Sequence, residues 1–211
     1  MTQQHPLIIR QLGCTDFEAT WHAMQKFTAE RTADTADELW ITEHPAVYTM
    51  GLNRKNVRLP IRDDIPVINT DRGGKITYHG AGQLIVYVLF DLNRNHLNIR
   101  KLVSLLENSV IALLGHFNQH AVTKTDAPGV YVQEAKIASL GLRIKKNYCY
   151  HGLSLNINMD LTPFEAIDPC GYAGLKVTQT KDLGIDANMK KISELLLNIL
   201  SKNLANGQKH E

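Results

Sequence analysis

Residues 83–92, QLIVYVLFDL, form a nearly unbroken apolar run in the middle of the chain. Side chains along a β-strand point alternately to its two faces, and here both sets are apolar. A strand of this kind is typical of a sheet that is covered on both sides. The run therefore predicts a central strand in a sheet packed between other layers.

The segments around this strand alternate between strand-like and helix-like patterns. Short strand-like runs occupy residues 6–12, 37–44, 46–51 and 65–71. Helical periodicity covers residues 15–31, 98–118 and 190–204. We expect a capping box from Thr15 to Glu18 to open the first helix. Several consecutive strands between helices indicate an α/β (α+β) fold, in which mixed β-sheets carry flanking helices.

Composition and charge limit the classes of protein. The chain has 211 residues, 44% of them hydrophobic, so we expect a single domain over residues 1–211 with a disordered tail from about residue 206. Its net charge of +2 is too small to imply a nucleic-acid partner. The absence of a long apolar run and of a leader at MTQQHPLIIR predicts a soluble, cytoplasmic protein with no membrane contact. Three cysteines without framework spacing predict free thiols.

Two further segments, 136–144 and 149–160, show the two-residue alternation of strands. In the second segment Cys149 shares the apolar face, and we expect it to pack there. In the first segment Lys136 begins the strand on its apolar face. Two interpretations of Lys136 stay open: its ammonium group reaches water at the strand end, or it is partly desolvated in a functional pocket.

The glycine-rich segment 71–88, DRGGKITYHGAGQLIVYV, is the densest functional signal in the chain. It lacks the spacing of a P-loop, and isoleucine occupies the third glycine position of a dinucleotide fingerprint. Four hydrogen-bonding side chains crowd its two glycine turns: Arg72, Tyr78, His79 and Gln83. Glycines let backbone amides approach a ligand closely, so this segment is a candidate binding loop, although two plain turns around a short strand would look the same. No metal-ligand spacing accompanies the nine histidines.

The stretch 168–174, DPCGYAG, places Cys170 between a proline and a glycine. A structural thiol normally packs as a small hydrophobe within an apolar run, and Cys170 has no such run around it. The pattern therefore predicts an exposed thiol in a turn, which is the setting of a reactive cysteine.

Four blocks of the sequence resemble one known family. RGGKITYHGAGQ at 72–83 is similar to the Arg-Gly-Gly-x-x-Thr-(Phe/Tyr)-His-Gly-x-Gly-Gln signature of the lipoyl(octanoyl) transferases. Three other blocks follow the family's order: EHPAVYTMG at 43–51, the pair KIASLGLRI at 136–144 and HGLSLNI at 151–157, and DPCGYAG with the following VTQ. The resemblance implies a fold similar to the catalytic domain of biotin and lipoate protein ligases, with mixed sheets and helices packed outside.

The same resemblance implies an acyltransferase of protein lipoylation. Octanoyl-acyl carrier protein is the implied donor, and the implied acceptors are the lipoyl domains of 2-oxoacid dehydrogenase complexes and the glycine cleavage H protein, without cofactor or metal. The family's acyl-thioester cysteine falls on Cys170, and the lysine that stabilises its thiolate falls on Lys136. Its acyl-binding positions fall on Arg72, Gly73, Gly74, Lys75, Ile76, Thr77, Tyr78, His79, Ser139, Leu140, Gly141, Gly152, Leu153 and Ser154.

Other functions stay open from the sequence. An ATP-using lipoate or biotin ligase would share the fold, but it would need no nucleophilic cysteine. A Cys-His hydrolase would use His79 or His151 as the base. A module that only binds an acyl carrier would have no use for Cys170 and Lys136.

Overall fold

A computed structural model describes residues 6–60, 63–168 and 174–207. Within these ranges one sheet contains β1 (Ile8–Cys14), β2 (Glu38–Glu43), β6 (Gln83–Asp91), β7 (Val122–Thr123), β8 (Gly129–Val132), β9 (Ala135–Lys145) and β10 (Tyr148–Asn156). A smaller sheet contains β3 (Val47–Met50), β4 (Val67–Asn69) and β5 (Ile76–His79). The helices are α1 (Phe17–Glu30), α2 (Ile99–His116) and α3 (Met189–Gly207), with short 3-10 turns at Thr162–Ala166 and Lys181–Leu183.

Strand β6 lies inside the larger sheet, whose order is β1-β2-β6-β10-β9-β8-β7. Its even-numbered side chains, such as Val86 and Val88, pack in the main core with apolar residues of α2 and α3. Its odd-numbered side chains pack on the opposite face, where Met24 of α1 is fully buried. The prediction of a central strand covered on both sides is confirmed, as is the α/β fold with mixed sheets.

The start of α1 differs from the predicted capping box. Asp16, not Thr15, is the N-cap, and its carboxylate accepts a hydrogen bond from the Ala19 amide at 2.8 Å. Thr15 instead extends the sheet, because its amide donates to the Glu43 carbonyl at 2.9 Å. The capping-box prediction is therefore wrong, since pairing with β2 holds Thr15 outside the helix.

The C-terminal helix runs further than its sequence pattern indicates. Helix α3 continues to Gly207, into the segment predicted to be a disordered tail, and residues 208–211 lie outside the described part of the chain. Across the described ranges, no helix has the length and apolar character needed to span a bilayer.

A glycine turn at residues 80–82 carries the chain from the smaller sheet into the larger one. Gly82 has φ +86°, and a Cβ there would lie 1.9 Å from the Asn158 carbonyl oxygen, so no larger residue fits. The smaller sheet has its own core, which includes Tyr48 and Ile76. The loop before β5 crosses to the larger sheet, where the Gly73 amide donates to the Leu142 carbonyl at 2.9 Å. A cleft between the two sheets results.

Candidate active site

The floor of this cleft is made by three neighbouring strands. Antiparallel pairing of β9 and β10 sets Ser139 opposite Ser154 and Gly141 opposite Gly152. On the other side of β10, Gly152 is opposite Tyr87 of β6. The two predicted acyl-binding segments, 139–141 and 152–154, are therefore direct cross-strand neighbours, although eleven to fifteen residues separate the paired positions in sequence.

A slot opens above this floor, beneath the loop that precedes β5. The slot is narrow, with a cavity volume of about 60 Å³. Twelve of the predicted acyl-binding residues line it: Arg72, Gly74, Lys75, Ile76, Thr77, His79, Ser139, Leu140, Gly141, Gly152, Leu153 and Ser154. The structure thus brings together three sequence blocks that lie far apart in the chain.

Two of the predicted acyl-binding residues do not line the slot. Tyr78 points into the core of the smaller sheet, where its ring lies 5.4 Å from that of Phe164. Gly73 instead joins the loop to β9 through its amide hydrogen bond to Leu142. Their structural contacts account for both residues without a ligand.

Four other residues line the slot without having been predicted to bind the acyl group: Phe17, Ile85, Tyr87 and His151. Phe17 lies on the buried stripe of α1, and the two β6 residues lie within the long apolar run, so their patterns indicate only burial. His151 was a candidate base of the hydrolase hypothesis. It has a left-handed backbone with φ 63°, a conformation that is uncommon outside glycine and recurs at functional sites.

A chain of buried hydrogen bonds runs behind the slot. Arg72 Nη2 donates to Thr49 Oγ1 at 2.9 Å, and this hydroxyl contacts His79 Nε2 at 3.3 Å. On its other side, His79 Nδ1 donates to Gln83 Oε1 at 2.7 Å, and Gln83 Nε2 donates to Asn156 Oδ1 at 2.9 Å. The chain ties the smaller sheet to β6 and β10, which fixes the slot walls relative to each other.

The imidazole of His79 is neutral within this series of hydrogen bonds. Burial and the neighbouring charge of His44 lower the pKa of His79 to about 3. A neutral ring with Nδ1–H donating to Gln83 leaves Nε2 as an acceptor for the Thr49 hydroxyl. His79 is therefore a poor general base near neutral pH, which disfavours its role in the hydrolase hypothesis.

Asp71 does not line the slot, but it holds the slot-lining residue His151 through a hydrogen bond. Burial acts to raise its pKa, but hydrogen bonds from His151, Tyr150, Gln25 and Trp21 outweigh burial and lower the pKa of Asp71 well below its ordinary value. The His151 bond, from Nε2 to Asp71 Oδ1, measures 2.9 Å. Asp71 is thus ionised at neutral pH and orients His151 at the slot wall.

Lys136 lies near the start of β9 and does not line the slot. The residue is only 2% exposed, and its Nζ donates to the Pro128 carbonyl at 2.8 Å. The interpretation that its ammonium group reaches water is therefore wrong. The pairing of β8 with β9 also slips by one residue, leaving Ile137 without a partner. Such bulges re-aim side chains, so the predicted alternation that put Lys136 on the apolar face does not hold across it.

Cys170 lies outside the described residues, as do its neighbours 169–173. The backbone just after it is described: Val177 forms a bridge with Lys136, and the Thr178 amide donates to the Lys136 carbonyl at 2.9 Å. The segment that follows the cysteine is thus held beside the lysine by backbone hydrogen bonds.

The two cysteines that the structure describes are both free thiols. Burial raises the pKa of Cys149 to about 12, which makes it inert at neutral pH, and its position agrees with the predicted packing role. Cys14 is exposed at the end of β1, the edge strand of the larger sheet. Neither lines the slot. Among the described side chains, no group of three His, Cys, Asp or Glu is placed to hold a metal ion.

The fold and its cleft place the protein in one fold class, that of the α/β catalytic domains of lipoate and biotin ligases. A bi-partite lipoate protein ligase from Thermoplasma acidophilum superposes with a TM-score of 0.75 at 14% identity, covering 96% of this chain and 85% of that one. Biotin protein ligase from Aquifex aeolicus superposes with a TM-score of 0.62 at 16% identity, covering 97% and 72%. At such low identity these likenesses establish the fold alone.

Sequence relatives are more specific. An octanoyltransferase from Chromobacterium violaceum is 54% identical over 200 residues, which cover 95% of this chain and 97% of the relative. Another from Nitrosomonas europaea is 56% identical over 177 residues, which cover 84% and 87%. The lipoyl protein ligase A/B catalytic domain family matches residues 16–202. The chain belongs to this family, and within it to the octanoyltransferases.

Proposed function

We propose that this chain is an acyltransferase that moves an octanoyl group from a carrier-protein thioester to a lysine amine of a lipoyl domain. The observation that carries this function is the identity of 50–56% to octanoyltransferases over most of both chains. The narrow slot between the sheets, with an apolar wall that includes Phe17 and Ile76, suits an unbranched acyl chain.

In the first half-reaction the Cys170 thiolate attacks the carbonyl carbon of the donor thioester. The bond from that carbon to the donor sulfur breaks, and the departing sulfur takes a proton from the Lys136 ammonium group. The products are an octanoyl thioester on Cys170, a free donor thiol and a neutral Lys136 amine. A free thiol with a pKa of about 8.5 is mostly protonated at neutral pH, so a neighbouring cation is needed to keep the resting thiolate.

In the second half-reaction the acceptor lysine amine attacks the octanoyl thioester. Neutral Lys136 takes the proton that the attacking nitrogen loses, and Cys170 leaves as a thiolate. An amide bond forms, a thioester bond breaks, and the resting ion pair returns. The burial of Lys136 and the backbone pairing of 177–178 beside it support this pairing of cysteine and lysine.

The finer partners are also part of the proposal. We expect octanoyl-acyl carrier protein as the donor, and lipoyl domains of 2-oxoacid dehydrogenase complexes and the glycine cleavage H protein as acceptors. The Thermoplasma lipoate protein ligase of the same fold was described together with its E2 lipoyl domain, which supports an acceptor of this class. The reaction is cytoplasmic in this proposal, and it needs neither cofactor nor metal because the donor thioester already supplies the free energy.

Intact-mass measurement after mixing the protein with octanoyl carrier protein, without ATP and with a chelator, tests the function. The mass of one octanoyl group should appear on the wild type and on Cys149→Ala, and not on Cys170→Ala. Adding a lipoyl domain should move that mass to the domain. An adduct that requires ATP would indicate a ligase, and release of octanoic acid without transfer would indicate a hydrolase.

Substitution of Lys136 tests its role as base. Lys136→Met retains most of the stem, and discharge of the octanoyl enzyme to a lipoyl domain should slow by about 10²–10⁴-fold. Lys136→Arg should not restore the rate, because a guanidinium group stays protonated. Discharge at the wild-type rate in both variants would exclude Lys136 as the base.

A further inference from the structure

A carboxylate is buried outside the slot, on the core-facing side of helix α2. Glu107 is 8% exposed and lies between Leu106 and Val110, which are both fully buried. Burying a carboxylate is unfavourable unless it is hydrogen-bonded or paired with a positive charge. Neither the slot nor the two half-reactions written above account for its presence.

One peptide group connects this carboxylate to Lys136. The Gly129 amide donates to Glu107 Oε1 at 2.8 Å. The carbonyl of the same peptide bond belongs to Pro128, and it accepts the hydrogen bond from Lys136 Nζ at 2.8 Å. The Pro128–Gly129 peptide is planar, so fixing its N–H toward Glu107 fixes its C=O toward Lys136.

Gly129 lets the lysine pack directly against this peptide. Its φ is +143°, and a Cβ there would lie 2.4 Å from Lys136 Cε and 3.0 Å from Nζ. The same Cβ would lie 2.6 Å from the Ala138 carbonyl oxygen, so a larger residue would have to displace the backbone of β9 as well as the lysine stem. Glycine is therefore required here by the backbone conformation and by the Ala138 carbonyl oxygen, and it also lets the lysine stem pack against the peptide.

A carboxylate and an aromatic ring flank the Lys136 ammonium group. Burial raises the pKa of Glu107, while the hydrogen bond from the Gly129 amide and the charge of Lys136 act to lower it. The carboxylate and the lysine therefore attract each other across the peptide, and hydrogen bonds in series polarise one another. The Tyr131 ring face lies 5.4 Å from Lys136 Nζ and adds a cation–π contact. Lys124 lies over the same ring, but the exposed Glu134 pairs with it.

We infer that Glu107 is a positioning residue for acyl transfer, which acts through the Pro128–Gly129 peptide to aim the Lys136 ammonium group and to hold its proton. This inference rests on the proposed function of Lys136 as base. Once Cys170 is acylated, the proton affinity of Lys136 determines the pH at which discharge to the acceptor amine becomes fast. Glu107 therefore sets the pH dependence of the second half-reaction.

Glu107→Gln tests the inference, because the amide oxygen still accepts from Gly129 while the charge is lost. In the full-length Cys170→Ala protein, NMR titration of the Lys136 ¹³Cε signal should show a midpoint lower by about one pH unit, a roughly tenfold change in proton affinity. In the protein that retains Cys170, the pH profile of octanoyl-enzyme discharge should move down by the same amount. The acceptor amine is the same in the experiments with wild type and with Glu107→Gln. The difference between the two pH profiles therefore comes from a group on the enzyme.

Glu134→Gln is the matched control. It also removes one carboxylate near Lys136, but that carboxylate is 81% exposed and screened by solvent, so both midpoints should stay at their wild-type values. Unchanged midpoints in Glu107→Gln would overturn the inference, as would a rate loss that is equal at every pH. If the NMR midpoint shifts but the pH profile of discharge does not, Glu107 and Lys136 are coupled, but Lys136 is not the base.

Discussion

Gly152→Ala offers the sharpest test of how the slot floor is built. Strand β10 passes β6 so closely here that a Cβ on Gly152 would lie 1.9 Å from the Val86 carbonyl oxygen and 3.0 Å from Tyr87 Cα. Ordinary contact begins near 3.4 Å, so the methyl group and the oxygen must separate by 3.4 − 1.9 = 1.5 Å. Both obstacles are backbone atoms of a central strand, and they have no rotamer by which to move aside.

The expected loss of stability follows from that displacement. Overpacking a buried site costs about 1–3 kcal/mol. Opening the strands by this distance takes ladder hydrogen bonds beyond useful length, and two such bonds contribute about 1 kcal/mol each. The sum is about 3–5 kcal/mol. For a domain of this size each kcal/mol lowers the Tm by about 2–4 °C, so we expect a fall of about 6–20 °C.

Calorimetry or thermal circular dichroism on Gly152→Ala and Gly115→Ala measures the effect. Gly115 lies in helix α2 with nothing within 4 Å of its absent Cβ, so alanine there should stabilise the protein by about 0.5–1 kcal/mol. A Gly152→Ala protein with a wild-type Tm would refute the argument. Gly152 would then be retained for contact with the ligand and not for strand packing.

Three further outcomes are expected. Asp71→Asn should lower the free energy of unfolding by about 2–3 kcal/mol at neutral pH. Because the pKa of Asp71 is lowered in the folded state, the stability difference between wild type and variant should shrink as the pH falls below about 4. Urea unfolding of both proteins at pH 3 and pH 7 would show this. Cys149→Ala should form the octanoyl adduct of Cys170 at the wild-type rate, since burial keeps the Cys149 thiol protonated; a slower rate in the mass assay would contradict this. His79 should show no imidazole titration between pH 5 and pH 8 by ¹⁵N NMR, and a protonation step in that range would exclude the neutral hydrogen-bond chain.

Sequence patterns that are local to each segment predicted much of this fold. The two apolar faces of β6 required layers on both sides of the sheet, and such layers are present. The start of α1 was misassigned, because Thr15 and Asp16 are both good caps and only the pairing of Thr15 with β2 distinguishes them. A tertiary contact, the pairing of Thr15 with β2, therefore decides which residue caps the helix.

The candidate site depended on contacts that no single segment encodes. The family signature identified the slot residues in three blocks, whereas the register that places Gly141 opposite Gly152 becomes visible only in the folded sheet. Alternation failed at Lys136, because the extra residue Ile137 interrupts the pairing of β9 with β8. Glu107 shows the same limit, since helical periodicity can assign it to a face but cannot identify the peptide across from it.

Asn156 shows why a polar residue in a buried strand can be specific without touching a ligand. Its Oδ1 accepts from Gln83 Nε2 at 2.9 Å, and its Nδ2 donates to the Thr178 carbonyl at 2.9 Å. The Thr178 amide in turn donates to the Lys136 carbonyl. An aspartate would lose the donor, a serine is too short to reach both sides, and a leucine would leave both partners unsatisfied. The side chain is therefore determined by two neighbours, a donor behind the slot and an acceptor beside the proposed base, and it links the two by hydrogen bonds.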